Sequence, residues 1–380
     1  MKHKSKKEGI DRREFLAATG SGLLASAVPV SPSWISASGH ENSTASDSAA
    51  APARAAASQR KIPIGVFDPV YNHLSLDVML EKVSALGLEA MEIGTGGYPN
   101  NPHCPLDDLI QDQSKAKAWQ KKFEDKGIQV ATLSCHGNPI HPNAAHAQKD
   151  IDTFRKTVQL AEMLGVRVIV GFSGCPGGTP QATQPNWITY RWPPEYNEML
   201  DWQWKEKVVP YWKDAAKYAR SHGIHRLAFE MHPNFVVYNP KTLLRLREAV
   251  GEEIGANCDL SHLFWQGCDP VEVIHLLGKQ GALFHAHMKD TVLYPENVAK
   301  YGVLNFVFEK SDLPQASDAF RAVGYGHSAT LWKSVVQAYM DVGYEGILSI
   351  ENEDPILSGE VGVERAAYVL KNVRSEILGA

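Results

Sequence analysis

The sequence predicts a single (β/α)8 TIM barrel, and three observations predict it. Eight short apolar runs recur from residue 61 onward, each run is continuous in its apolar character, and amphipathic helical stretches separate them. Continuous apolar strands alternating with helices belong to a parallel sheet covered on both faces. Eight such units close the sheet into a barrel. An open, doubly wound sheet is the alternative, and the count of eight and the lack of a G-x-G-x-x-G after the first run weigh against it.

The first run, IPIGVF (62–67), leads to LDVMLEKVSALG (76–87), whose apolar residues recur at three and four and whose glycine closes the helix. The second, LEAMEIG (88–94), passes through GTGGYPN (94–100) to the helical KAWQKKFEDKG (117–127). That loop is glycine-rich but lacks phosphate-loop spacing, and we read it as a plain connection. The third, IQVATLS (128–134), feeds DTFRKTVQLAEMLG (152–165), and the fourth, VRVIVGF (166–172), feeds VPYWKDAAKYARSHG (209–223). The fifth, sixth and seventh runs are HRLAFEM (225–231), IGANCDL (254–260) and ALFHAHM (282–288). The helix LWKSVVQAYMDVG (331–343), the eighth run GILSIEN (346–352) and a closing helix over 361–379 complete the pattern.

Two connections are far longer than the usual two to six residues. One runs from Ser173 to about Trp204 and carries Trp187, Tyr190, Trp192, Tyr196, Trp202 and Trp204; the other runs from about Thr291 to Ser328. Long loops after strands 4 and 7 lie on the catalytic face of a barrel, so both are candidate lids. The aromatic loop suits stacking on a sugar, capping of the barrel or a subunit contact, which leaves a homo-oligomer open.

Residues 1–60 read as something other than fold. A basic start, Arg12-Arg13 and a short, mild apolar stretch over 15–30 predict a twin-arginine signal peptide over 1–37, although Asp11 stands where Ser or Thr is usual. The apolar stretch is too short for a stable membrane span. An Ala/Ser-rich segment without aromatics predicts a disordered tether over 38–60, and the barrel occupies 61–380. The expected location is periplasmic or secreted. Loss of the leader removes six basic and three acidic residues and takes the formal charge from −5 to −8. With a pI near 6.3 the chain has no basic footprint for nucleic acid. Five cysteines at irregular spacing, an odd number, read as buried apolar residues and not as a disulfide framework.

The chemistry lies where polar residues interrupt the strand ends. Glu230 ends the fifth run, Asp259 the sixth, His285 and His287 the seventh, and Glu351 the eighth. In a barrel those ends are neighbours on the rim and converge on the axis. Three carboxylates in a partly dry pocket repel one another, and a divalent cation removes the conflict. Oxygen donors with one imidazole suit Mn²⁺ best or Mg²⁺, with Co²⁺ or Zn²⁺ accommodated. Strand alternation puts His285 and His287 on one face and does not separate them. No basic cluster for a phosphate stands at the strand ends.

The E-x-H of Glu230 and His232, the D-L-S-H of Asp259 and His262, the H-x-K-D of His287, Lys289 and Asp290, and the I-E-N-E of Glu351, in this order, resemble the xylose isomerase-like TIM barrels over residues 62–375. This superfamily of sugar isomerases and epimerases also holds inosose dehydratases and endonuclease IV. The resemblance implies a metal held by Glu230, Asp259, His287 and Glu351, with Glu230 and Glu351 as the catalytic pair that exchanges a proton beside a sugar carbonyl, their pKa values pushed apart into acid and base. It implies substrate contacts from His136, His232, His262, Lys289 and Asp290, the last two also placed to orient His287. His327, in GYGHS, is a further residue the long loop would carry toward the pocket. The implied partner is a small unphosphorylated sugar. The same enolate chemistry supports a lyase or dehydratase if the neighbouring carbon bears a leaving group. An endonuclease IV-like repair enzyme and a non-catalytic sugar-binding module are the remote alternatives.

Overall fold

The computed structural model describes residues 61–305 and 310–379. The predicted leader and tether lie outside the described residues. Eight parallel strands close into one barrel. They are β1 (Ile64–Phe67), β2 (Ala90–Gly97), β3 (Gln129–His136), β4 (Val168–Gly171), β5 (Arg226–Glu230), β6 (Ile254–Asn257), β7 (Leu283–Met288) and, last in the ring, β10 (Leu348–Ile350). β10 lies between β7 and β1, so β5, β6, β7 and β10 are consecutive staves, as the convergence of their polar ends requires.

Each stave is buried because helices cover it outside and side chains fill it inside. The covering helices are α1 (Leu76–Ala85), α2 (Gln113–Glu124), α3 (Ala144–Leu164), α4 (Val209–Ser221), α5 (Pro240–Val250), α6 (Pro270–Lys279), α7 (Ala329–Asp341) and α8 (Gly359–Leu378). Side-chain caps start several of them. Ser75 accepts from Val78, Asp269 from Val271 and Glu272, and Asn239 forms a reciprocal capping box with Thr242. Gly165 ends α3 in the left-handed conformation.

Both long connections carry secondary structure among their described residues. After β4 the chain forms a helix over Pro194–Trp202 that continues through a single π-turn segment, Gln203–Val208, into α4. The buried Gln203 amide donates to the carbonyls of Pro176, Gly177 and Asn186 and ties the loop to the helix. After β7 comes an antiparallel hairpin of β8 (Asp290–Leu293) and β9 (Asp318–Arg321), with a helix over Pro295–Tyr301 between them. The plain loop expected at 94–100 is instead partly strand. β2 runs on to Gly97, where φ is +90° and a Cβ would sit 2.1 Å from the His136 carbonyl oxygen, so only glycine allows β2 and β3 to stay together up to Tyr98. The five cysteines are free, and Cys104, Cys175 and Cys258 are buried. No helix among the described residues is long and apolar enough to cross a membrane.

One surface ion cluster closes the barrel at its foot. Glu89 accepts from Ile64 N (3.1 Å) and pairs with Lys61 and with Arg374 of α8. Partial burial opposes its charge, but the Lys61 and Arg374 hydrogen bonds prevail and hold its pKa at about 2 against an ordinary 4.5. A depressed carboxylate stabilises the fold above its unfolded pKa and loses that contribution as pH falls through the folded value. Glu89→Gln should therefore flatten the loss of unfolding free energy between pH 4.5 and about 2, as urea titrations across that window would show.

Candidate metal centre

β5 ends on Glu230, whose two oxygens face different partners. Oε1 lies 3.1 Å from His262 Nε2, and Oε2 lies 3.2 Å from His136 Nε2 and 3.5 Å from His287 Nδ1. Two residues beyond β6, Asp259 Oδ1 accepts the Ser261 amide (2.8 Å), which starts the short helix Ser261–Phe264. That turn aims Oδ2 at the interior, 3.0 Å from Lys289 Nζ and 3.4 Å from His262 Nε2. Glu351, just past β10, puts Oε2 3.0 Å from His287 Nδ1 and 2.7 Å from Lys289 Nζ. One ligand atom each from Glu230, Asp259, His287 and Glu351 lie within 4.8 Å of one another.

Beneath this quartet stands Glu92, fully buried in β2. Its Oε2 lies 2.9 Å from His287 Nε2, 2.7 Å from His285 Nε2 and 2.8 Å from Ser349 Oγ, and Ser134 donates to Oε1. An imidazole bonded through Nε2 to a carboxylate presents Nδ1 to the quartet, the arrangement in which a carboxylate fixes a ligating histidine. His285 Nε2 bonds Glu92 and the residue is not in the quartet, which separates the two histidines that alternation leaves together. Sequence reasoning missed Glu92. Its signal, an acid inside the apolar LEAMEIG, resembles that of Glu230, but it falls in mid-strand and not at the strand end.

The electrostatics follow from these contacts. Burial would raise Glu230, but hydrogen bonds from His136 and His262 and the charge of His287 hold it well below the carboxylate range. Glu351 is lowered as well, burial being outweighed by Lys289 and His287. Both glutamates are pushed below the ordinary carboxylate value, Glu230 well below it. Burial opposes charge on His287 and Lys289, yet Glu92 and Glu351 raise the first well above its ordinary value, and Asp259, Glu351 and Glu353 raise the second. Burial, with the neighbouring His262, takes His232 down to about 4, so its ring is neutral. The donor set fits a divalent cation. Asp259 Oδ2 and His287 Nδ1 are both buried without an aligned hydrogen bond, and three carboxylates and an imidazole are the hard-to-borderline donors such ions take.

A cavity of about 500 Å³ opens above the quartet. Its lining includes Glu230, Glu351, Lys289, His136 and His232, with the rings of Phe67, Tyr98, Phe172 and Phe235 packed among the histidines. Phe172 stacks on Phe235 with centroids 4.1 Å apart, and Tyr98 stands edge-on to Phe235. Four expectations need correction. Asp290 does not stand behind His287. It accepts from the backbones of Gly324, Gly326 and His327 and from Trp332 Nε1, which anchors the return of the long loop. His327 does not reach the cavity, because its ring bonds Asp290 (2.8 Å) and stacks on Phe264. His262 is buried against Glu230 and Asp259 and is not part of the cavity wall. Trp187, Tyr190 and Trp192 are absent from that wall too. Trp187 lines a separate cleft with Trp204 and Tyr238, while Tyr190 and Trp192 are exposed.

Residues 80–373 match the sequence profile described as xylose isomerase-like TIM barrel. The uncharacterized protein YfiH of Bacillus subtilis (strain 168) is 37% identical over 307 residues, covering 80% of this chain and 96% of that protein. Among solved structures, a D-tagatose 3-epimerase-like protein superposes with a TM-score of 0.56 at 19% identity over 83% of this chain and all of the other. AsbF of Bacillus anthracis, a probable 3-DHS dehydratase, gives 0.55 at 17% over 82% and 99%. A xylose isomerase-like protein of Mycobacterium smegmatis in complex with magnesium gives 0.56 at 16% over 83% and 98%. At these identities the likeness to the solved structures is one of fold.

Proposed function

We propose that this chain, which belongs to the xylose isomerase-like TIM barrel family, is a divalent-metal-dependent isomerase or epimerase of an unphosphorylated keto-sugar or related polyol. The observation that carries the reading is the pairing of Glu230 and Glu351. Both line one cavity, both have neighbours that lower their pKa, and both belong to the four-residue cluster suited to a cation. Glu230, Asp259, His287 and Glu351 would hold the ion, Mn²⁺ by preference, and when bound it supplies Lewis-acid polarisation of a substrate carbonyl. The solved relative that carries magnesium is consistent with a divalent ion.

The chain's own groups would do the rest. One glutamate would take the proton from the carbon beside the carbonyl; returning it to the neighbouring carbon gives isomerisation, and delivery of a solvent-derived proton to the opposite face by the other glutamate gives epimerisation. Glu351 is the more accessible of the two, its side chain 17% exposed against 3% for Glu230. His232 bonds the Pro233 carbonyl through Nδ1 (2.6 Å), which leaves a neutral Nε2 to accept from a substrate hydroxyl, and His136 offers a second polar contact on the wall. Among the described residues Lys289 is the one lysine or arginine on the cavity wall, and it shares that wall with Glu230, Glu351 and Glu353, a poor setting for a phosphate. The Arg12-Arg13 leader supports a periplasmic or secreted enzyme, where unphosphorylated substrates fit.

A lyase is the second reading, favoured by the aromatic wall of Tyr98, Phe172 and Phe235, which suits the aglycone of a keto-glycoside. Elimination then follows the same proton abstraction. The acidic cavity gives no support to a nucleic-acid substrate, and paired bases are more than a sugar-binding module needs. The test is incubation of the Mn²⁺-loaded protein with keto-sugars and 3-keto-glycosides in D₂O. Deuterium in an isomeric product is the expected result, release of water or an aglycone moves the assignment to a lyase, and no exchange with any of them sinks both.

A further inference from the structure

Lys289 is a long, charged side chain that is almost wholly buried, and its position is unusual for a residue placed among metal ligands. Its ammonium lies 2.7 Å from Glu351 Oε2 and 3.0 Å from Asp259 Oδ2. The same two oxygens face His287 Nδ1 within the four-residue cluster. A divalent ion bound by the cluster would meet Lys289 as a like charge on shared carboxylates. The ammonium has somewhere to go. Glu353 Oε2 lies 2.9 Å away on a half-exposed side chain at the mouth, outside the cluster, and the Phe320 ring face is 4.6 Å from Nζ. Lys289 and Glu353 also line the cavity together.

We propose that Lys289 is a resident counter-ion that holds Asp259 and Glu351 together without metal, yields those oxygens when the metal binds, and moves toward Glu353 to become a hydrogen-bond donor to substrate oxygen. The proposal rests on the metal-dependent reading above and adds a competing cation to it. Without metal, Lys289 offsets repulsion among buried carboxylates. With metal bound, a donor freed on the cavity wall is placed to stabilise negative charge as it develops on the substrate. Removing a residue from a metal centre commonly weakens binding. Here the removal of a competing positive charge should strengthen it.

The test compares Mn²⁺ binding by the wild-type protein, Lys289→Met and Lys289→Arg, using calorimetry after dialysis against chelator. Lys289→Met should bind Mn²⁺ at least about tenfold more tightly than the wild type, and Lys289→Arg, which keeps the charge, should not. Its metal-free form should also melt at a lower temperature and gain more from metal than the wild type does. A second measurement needs no variant. Reductive methylation of the wild-type protein, mapped by peptide mass spectrometry, should modify Lys289 several-fold faster after Mn²⁺ loading. Equal or weaker Mn²⁺ binding by Lys289→Met, or labelling of Lys289 that is unchanged or reduced on loading, overturns the counter-ion role and leaves the metal-dependent reading intact. Absence of saturable Mn²⁺ binding by the folded wild-type protein overturns both.

Discussion

Glu351→Gln is expected to slow proton exchange on the substrate by about 10²–10⁴-fold, the range that removal of a positioned base produces. The substitution keeps the size of the side chain and one oxygen donor but removes the charge and the basicity. Glu351 is the more exposed of the two glutamates and faces the cavity beside Lys289, and because it belongs to the four-residue cluster its substitution also reads out in bound metal. Glu230→Gln should give a loss of similar size with a second consequence. Its oxygens contact His136 and His262, so an amide there also disturbs the wall that would hold the sugar hydroxyls. Rates of deuterium uptake by NMR, together with bound metal, separate the two effects. Either variant retaining the wild-type rate would remove that glutamate from the chemistry.

Asp259→Ala is expected to weaken divalent-metal binding by more than about 100-fold, beyond the 10–100-fold typical of lost supporting contacts. Asp259 is not part of the cavity wall, so the variant keeps the shape of the substrate site while it loses a ligand. The pH dependence of binding in the wild-type protein has a definite sign. Glu92 and Glu351 hold the His287 pKa well above its ordinary value, so at neutral pH the metal-free ring carries a proton that must leave before Nδ1 can ligate. Affinity should therefore rise with pH, by up to about tenfold per unit, until the raised pKa is passed. Calorimetry in buffers of different ionisation enthalpy should show proton release on binding. Affinity that falls with rising pH over this range contradicts the ligand role of His287.

The barrel was legible because it depends on a repeated local signal. Eight apolar runs and the helices between them need only periodicity and terminal glycines to be read. The rim acids were legible for a related reason, since Glu230, Asp259 and Glu351 interrupt strand ends that are otherwise apolar. What stayed hidden depends on direction in space. Glu92 sits in mid-strand, and nothing local says that its carboxylate lies under His287 from the far side of the barrel. Asp290 follows Lys289 directly, yet the two side chains diverge, one into the site and the other toward Trp332. The tryptophan-rich loop leaves sugar stacking, barrel capping and a subunit contact equally open in the sequence, whereas the cavity draws its rings from strand ends and short turns, Phe67, Tyr98, Phe172 and Phe235. A single aromatic after a strand gives a weaker signal than a cluster in a loop, and geometry decides which of them meets the substrate.

The most direct test of the account is elemental analysis of the purified chain, dialysed against Mn²⁺, beside Asp259→Ala treated in the same way. One tightly held divalent ion per wild-type chain and a near-total loss in the variant is the predicted result. Three zinc ions per chain in protein purified without added metal, or equal metal in wild type and variant, would contradict it.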